Sequence, residues 1–319
     1  MGDMHLFELL AFFAFVAFAT WLDLFVLHKD DHDISLKEAA WTSVAWIVLA
    51  LLFSGYVYWQ YGLDMWMQYI AGYTLEKALS VDNIFVIALI FGFFGIRGGL
   101  QHRALVWGVI GAIVMRGILI FLGVELVERF TWLLPLFGLF LVVTGFKMMR
   151  STNEEEESLE DSKVYRFVSR ILPTYPGFDG NKILTKRNGK TMLTLLGTSI
   201  VMVEATDLIF AIDSIPAVMG ISRDPFIILT SNVFAILGLR ALYFLLAGII
   251  HKFRYLKLGL ALVLAFIGVK MLALPFGFHM PIAISLSVVL GVITVSVIAS
   301  LMIPEKTPDD KAHKQSQSH

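Results

Sequence analysis

Nine apolar runs, most of them twenty residues or longer, leave this chain few ways to fold. A helix rising about 1.5 Å per residue needs roughly twenty residues to cross the hydrocarbon core of a bilayer. The runs fall at about 6–27, 37–59, 66–95, 103–124, 130–149, 191–219, 225–250, 255–274 and 282–303. In lipid each must be helical, because an unpaired backbone group has no water to turn to. The chain is 57% hydrophobic and 16% charged, whereas soluble domains average about 25% charged. The expected fold is therefore an all-α polytopic membrane protein with about nine transmembrane helices. The first run has no lysine or arginine before it and no small-residue cleavage site after it, so it reads as a retained span. Cysteine is absent, which excludes disulfides, thiolate metal sites and thiol catalysis.

Lysine and arginine set the expected orientation. One side of the membrane receives Lys29, Arg97, Arg103, the basic residues between Arg150 and Lys190, then Lys252, Arg254, Lys257 and those of the tail. The other side receives only Arg129 and Arg223. The basic side is cytoplasmic by this rule, with the N-terminus outside, the C-terminus inside, and a multi-pass placement in a bacterial inner membrane. Within the 150–190 connection, Val164, Phe167, Val168 and Ile171 have helical spacing, which suits either a helix on the inner leaflet or a solvated linker.

Two of the runs carry charge where lipid should exclude it. The first holds Glu76-Lys77-Ala78-Leu79-Ser80-Val81-Asp82-Asn83; the second holds Glu204-Ala205-Thr206-Asp207 and, six residues on, Asp213-Ser214-Ile215-Pro216. A charge at bilayer depth costs roughly 2.5 kcal/mol or more, so five carboxylates need a reason to be there. The runs are also self-similar. Asp82-Asn83-Ile84-Phe85 answers Asp207-Leu208-Ile209-Phe210, Arg116 answers Arg240, and Thr144-Gly145-Phe146-Lys147-Met148 answers Ile267-Gly268-Val269-Lys270-Met271. Each unit contains three spans, an odd number, so the second unit must enter the membrane inverted. The expected division is 1–65 for two peripheral helices, 66–149 for the first repeat (spans 3–5) and 150–190 for a cytoplasmic linker. Residues 191–274 form the inverted second repeat (spans 6–8), 275–303 the final helix, and 304–319 a disordered cytoplasmic tail.

Glu76, Asp82, Glu204, Asp207 and Asp213 are the candidate metal ligands, with Ser80, Asn83 and Ser214 as supporting oxygens. Oxygen-only donors suit Mg²⁺, Ca²⁺ or Mn²⁺ over Zn²⁺ or Cu⁺. The histidines sit at span ends, in loops or in the tail, and add no buried nitrogen ligand. Lys77, Arg116 and Arg240 are candidate counter-charges or gates; set against five ionised acids they leave −2, which one dication cancels. Carboxylates paired with these cations alone would instead lock helices together with no ligand at all. On a regular helix Glu76 and Asp82 lie about 120° apart, and Glu204 and Asp213 about 180° apart, so one shared ion requires a break. Pro216 is the expected place for it.

At these two motifs the chain resembles the TerC family of integral membrane proteins, within the LysE-type transporter superfamily. The resemblance extends over most of the spans. It implies Alx-like export of manganese from the cytoplasm, links to ion homeostasis and tellurite resistance, and a metal-binding role for the five acids. The expected partners are a divalent ion and the lipid bilayer, with no nucleic acid and no resident cofactor. A Ca²⁺ transporter is the near alternative, and a membrane-protein assembly or scaffold factor with structural buried charges is the distant one. No His-Glu-x-x-His, Gly-x-Ser-x-Gly or Gly-x-Gly-Asp pattern is present, which argues against an enzyme.

Overall fold

The computed structural model describes residues 3–22, 35–150, 170, 172–187, 189–246, 254–278 and 280–302. After α1 (Asp3–Leu22) comes α2 (Leu36–Phe94), 59 residues in two helical segments broken at Gly62. Ser35 caps it by accepting the Glu38 N–H at 3.3 Å, with Glu38 three positions into the helix as in a capping box. Its far end closes on Gly95, left-handed at φ 67°, with the amides of Gly95 and Ile96 returning to the last turn.

The expected spans at 37–59 and 66–95 are two helical segments of α2 joined at a break. No proline separates them, and the chain leaves helical geometry only at Gly62 (φ 81°, ψ −175°), a conformation that favours glycine. The two segments fold back on each other there: the Tyr69 hydroxyl donates to Ala50 O at 3.2 Å and the Trp66 indole N–H to Ser54 Oγ at 3.3 Å. Just before the break, the Tyr56 hydroxyl donates to Glu8 of α1 at 3.2 Å, and the Tyr61 hydroxyl donates to the other oxygen of the same carboxylate.

The chain continues through α3 (Gly99–Arg129) and α4 (Leu133–Arg150). On α3, Val114, Ile118, Leu122 and Leu126 are exposed while Ala112, Arg116, Ile120 and Val124 are buried. The helix turns its apolar stripe outward and its one central charge inward, the pattern of a lipid-facing element.

The helical fold carries one short β element. A hairpin of β1 (Leu184–Arg187) and β2 (Lys190–Leu193) pairs Leu184 with Leu193 and Arg187 with Lys190. Asn188-Gly189 between the strands is a hairpin sequence, and Gly189 has φ 75°. The hairpin leads into α5 (Leu195–Met219), capped by Thr194, whose hydroxyl accepts from Gly197 N–H. Next come α6 (Pro225–Leu237), started by Asp224 and Pro225, and α7 (Leu239–Leu246), bent from it by 42° at Gly238. Phe226 to Leu237 are all buried, so α6 is the core helix of the bundle. The chain ends in α8 (Arg254–Ala273) and α9 (Ile282–Met302).

Among the described residues six helices are long and apolar enough to cross a membrane, or seven if α6 and α7 count as one bent span. This is fewer than the nine runs, because the two segments of α2 are counted together and the apolar part of α1, Phe7–Trp21, is short. Helices α4 and α8 touch backbone to backbone. A methyl group added at Gly138 would lie 2.8 Å from Gly268 O, one at Gly268 2.6 Å from Gly138 O, and one at Gly145 2.7 Å from Ala261 O. Such an approach needs small residues on both helices. The expected surface helix near 163–172 and the tail at 304–319 lie almost wholly outside the described residues.

Candidate functional site

Arg116 is the centre around which four helices meet. Carried on the inward face of α3, it is 2% exposed. Its Nε donates to Asp207 Oδ2 at 3.0 Å and its Nη2 to Asp207 Oδ1 at 2.7 Å, a bidentate pair across to α5. Its Nη1 donates to Glu76 Oε1 of α2, itself 1% exposed, and reaches Asn232 Oδ1 of α6 at 3.5 Å. Asn83 Nδ2, on α2, donates to Asp207 Oδ1 at 3.2 Å. Glu76 and Asp207 therefore grip opposite sides of one guanidinium. Each is followed six residues later by an aspartate, Asp82 or Asp213.

The pairing is incomplete in a particular way. Glu76 Oε2, Asn83 Oδ1 and Glu204 Oε1 are buried acceptors with no hydrogen-bond partner. Buried polar atoms are normally satisfied, and an unpaired anion is the costliest exception. Glu204 sits one turn before Asp207 on α5, with its carboxylate against α3 where Gly108 and Gly111 lack side chains. A cavity of about 20 Å³, room for about one water, adjoins Asn83, Thr206, Asp207 and Gly108. Two carboxylates and Arg116 sum to −1, and Glu204, once ionised, brings the cluster to −2, a surplus that suits a cation. Among the described residues, however, no three of His, Asp and Glu converge on one point as metal ligands do.

The other sequence candidates are placed as follows. Lys77 points away from the carboxylates: its Nζ donates to Ala235 O at 3.2 Å, beside Gly238, where a side chain would collide with it. It thus caps the last carbonyls of α6 at the bend. Arg240 is buried on α7 and its Nη1 lies 2.6 Å from His102 Nε2, which makes that nitrogen an acceptor. Ser80 donates along its own helix to Glu76 O at 2.8 Å, and Ser214 Oγ is buried with no partner. The side chains of Asp82 and Asp213 lie outside the described ones. Helix α5 runs without interruption through Pro216, contrary to expectation. Pro216 stands one turn from the helix end, so the Ile212 carbonyl it deprives lies in the final turns, where bonds are being lost anyway. The interruptions occur at Gly62 and Gly238 instead.

Asn232 and His102 are the participants that sequence reading missed. The signal for Asn232 was present in Thr230-Ser231-Asn232, a polar triplet inside an otherwise apolar run. Nothing local singles out His102, whose partner is 138 residues away.

Residues 61–308 match the model of the integral membrane protein TerC family. The chain belongs to that family. The TerC match begins beside the Gly62 break and takes in all four helical segments that build the Arg116 cluster, leaving out α1 and the first part of α2. An uncharacterized membrane protein of Myxococcus xanthus is 44% identical over 301 residues, 94% of each chain. A relative in Escherichia coli K12, named as a proposed membrane-bound redox modulator, Alx, is 42% identical over 281 residues, covering 85% of this chain and 87% of its own. A Rickettsia conorii membrane protein is 41% identical over 291 residues, 91% of this chain and 96% of that one. No solved structure matches the TerC chain.

Proposed function

We propose that this TerC protein is a secondary transporter that exports a divalent cation, Mn²⁺ foremost and Ca²⁺ next, from the cytoplasm. The observation that carries the reading is the Arg116 cluster: oxygen-only donors from α2, α5 and α6, surplus negative charge, and three buried acceptors left without donors. Hard oxygen donors favour Mn²⁺, Ca²⁺ and Mg²⁺. We assign Glu76, Asp207 and Glu204 as its ligands, with Asp82 and Asp213, the remaining acids of the two motifs, as further candidates.

An inverted repeat underlies the site. Taking Gly145 as the counterpart of Gly268, the approach of Gly138 to Gly268 becomes that of Ala261 to Gly145, and both contacts are present. Reciprocal contacts of this kind support a two-fold axis between α4 and α8 and an alternating-access mechanism. Nine crossings follow if α2 counts as two spans parted at Gly62, α6 and α7 as one, and α1 as another. The lysine and arginine bias then puts the N-terminus outside and the basic connections in the cytoplasm of a bacterial inner membrane. The chain has no cysteine, so a redox effect such as the name Alx suggests would here act through metal supply rather than thiols. A second reading is favoured by the ion pairs themselves: Arg116 fully grips Asp207, as a structural lock would in an assembly factor.

The test is flux in proteoliposomes holding purified protein, comparing Mn²⁺, Ca²⁺ and Mg²⁺ with and without a pH gradient. Mn²⁺ movement above protein-free vesicles, lost in Asp207→Asn, supports export. Absence of movement of all three ions under every gradient rejects the transporter and leaves the lock.

A further inference from the structure

We infer that Arg116 is an internal substitute for the transported cation, holding the carboxylates of the empty carrier and yielding them when the cation arrives. The inference rests on the transport reading above and adds how the cycle is coupled.

Glu76 and Asp207 lie on α2 and α5, one in each proposed repeat, and Arg116 bridges them as a bound cation would. A dication cannot share those oxygens with a guanidinium at hydrogen-bond distance, since like charges in a dry interior repel strongly. Arginine keeps its charge in proteins, so the site is freed by movement of the side chain and not by loss of a proton. The next acceptor is at hand. Asn232 Oδ1 is 3.5 Å from Nη1, further than the Asp207 oxygens, so a small swing exchanges the weak contact for a strong one. The incoming cation meets unoccupied oxygens first: Glu204 Oε1 and Asn83 Oδ1 have no donor, and the small cavity adjoins Asn83 and Asp207. Landing there, it competes for Asp207 from the side away from Glu76.

The consequence concerns the return of the empty carrier. With Arg116 in place Glu76 and Asp207 stay bridged to a cation, so the carrier can reorient without cargo. Without it, facing carboxylates must keep a cation, and the carrier can only trade one for another.

Wild-type and Arg116→Gln proteins are reconstituted, and radioactive Mn²⁺ is followed as net efflux into Mn²⁺-free buffer and as exchange against unlabelled Mn²⁺. In the variant the ratio of exchange to net efflux is expected to rise about a hundredfold, the scale set by unpairing a buried charge. An unchanged ratio overturns the inference, and so does loss of both fluxes in a folded variant. Failure of wild-type protein to move Mn²⁺ in either mode defeats the transport reading itself, a different result. If Arg116→Gln aggregates, Arg116→Lys is measured instead. Its ammonium engages one carboxylate, not two, so a rise of about tenfold is expected, and no rise overturns the proposal.

Discussion

Arg116 and Asp207 form a two-point pair, Nε to Oδ2 at 3.0 Å and Nη2 to Oδ1 at 2.7 Å, joining α3 to α5 across 91 residues of chain. Two contacts to the two oxygens of one carboxylate give the pair direction as well as energy. Because Nη1 remains free to serve Glu76, one side chain ties three helices together.

Asp207→Asn leaves shape nearly unchanged but replaces one of two acceptor oxygens with a donor facing the guanidinium. Removing one partner of a buried pair costs about 3–5 kcal/mol. A lower melting temperature in detergent and loss of Mn²⁺ flux are expected. Wild-type melting in this variant would show that the pair contributes little.

Gly111 provides the space that Glu204 occupies. An added methyl would overlap the Glu204 carboxylate, so Gly111→Ala must displace it, and overpacking of this kind costs about 1–3 kcal/mol. Flux is expected to fall in Gly111→Ala and to recover in part when Glu204→Asp shortens the side chain. The double variant performing no better than the single one would separate Gly111 from Glu204 function.

The α4–α8 crossing depends on Gly138 and Gly268 equally. Gly138→Val puts a branched side chain where Gly268 O is 2.8 Å from the first carbon, so the helices must part. Reduced thermal stability and reduced flux are expected, with Gly268→Val giving the same result. A large effect at one position and none at the other would speak against a symmetric crossing.

At the hairpin, Asp179 accepts the Thr185 hydroxyl at 2.8 Å and Lys182 Nζ at 3.3 Å. The Thr185 hydrogen bond foremost, then that from Lys182, holds its carboxyl below the usual range. A depressed carboxyl contributes stability above its unfolded value, about 3.9, and loses it as pH falls through the lower folded value. Proteolysis near the hairpin is expected to be faster in Asp179→Asn than in wild type at neutral pH. The two should converge in acid below that range; a constant gap down to the lowest pH would remove Asp179 as the cause.

Much of this was legible in the chain. Apolar run length foretold the membrane helices to within a few residues at most ends, since the bilayer leaves only one way to satisfy a buried backbone. The acidic motifs foretold a cluster, because a charge in lipid needs company. The hairpin went unforeseen although Asn188-Gly189 announced it, since a linker reading of a charged connection hides short strands.

Partner choice is another matter. By itself the sequence determined that Glu76, Asp207 and Arg116 would lie inside apolar runs, because such runs follow from local hydropathy. Only the tertiary structure decided that Arg116 takes both acids, that Lys77 turns away to cap Ala235, and that the chain bends at Gly62 and Gly238 rather than at Pro216. Those outcomes depend on distances of a few ångströms between segments tens to over a hundred residues apart. Charge decays over that scale, and glycine opens space that no sequence spacing records.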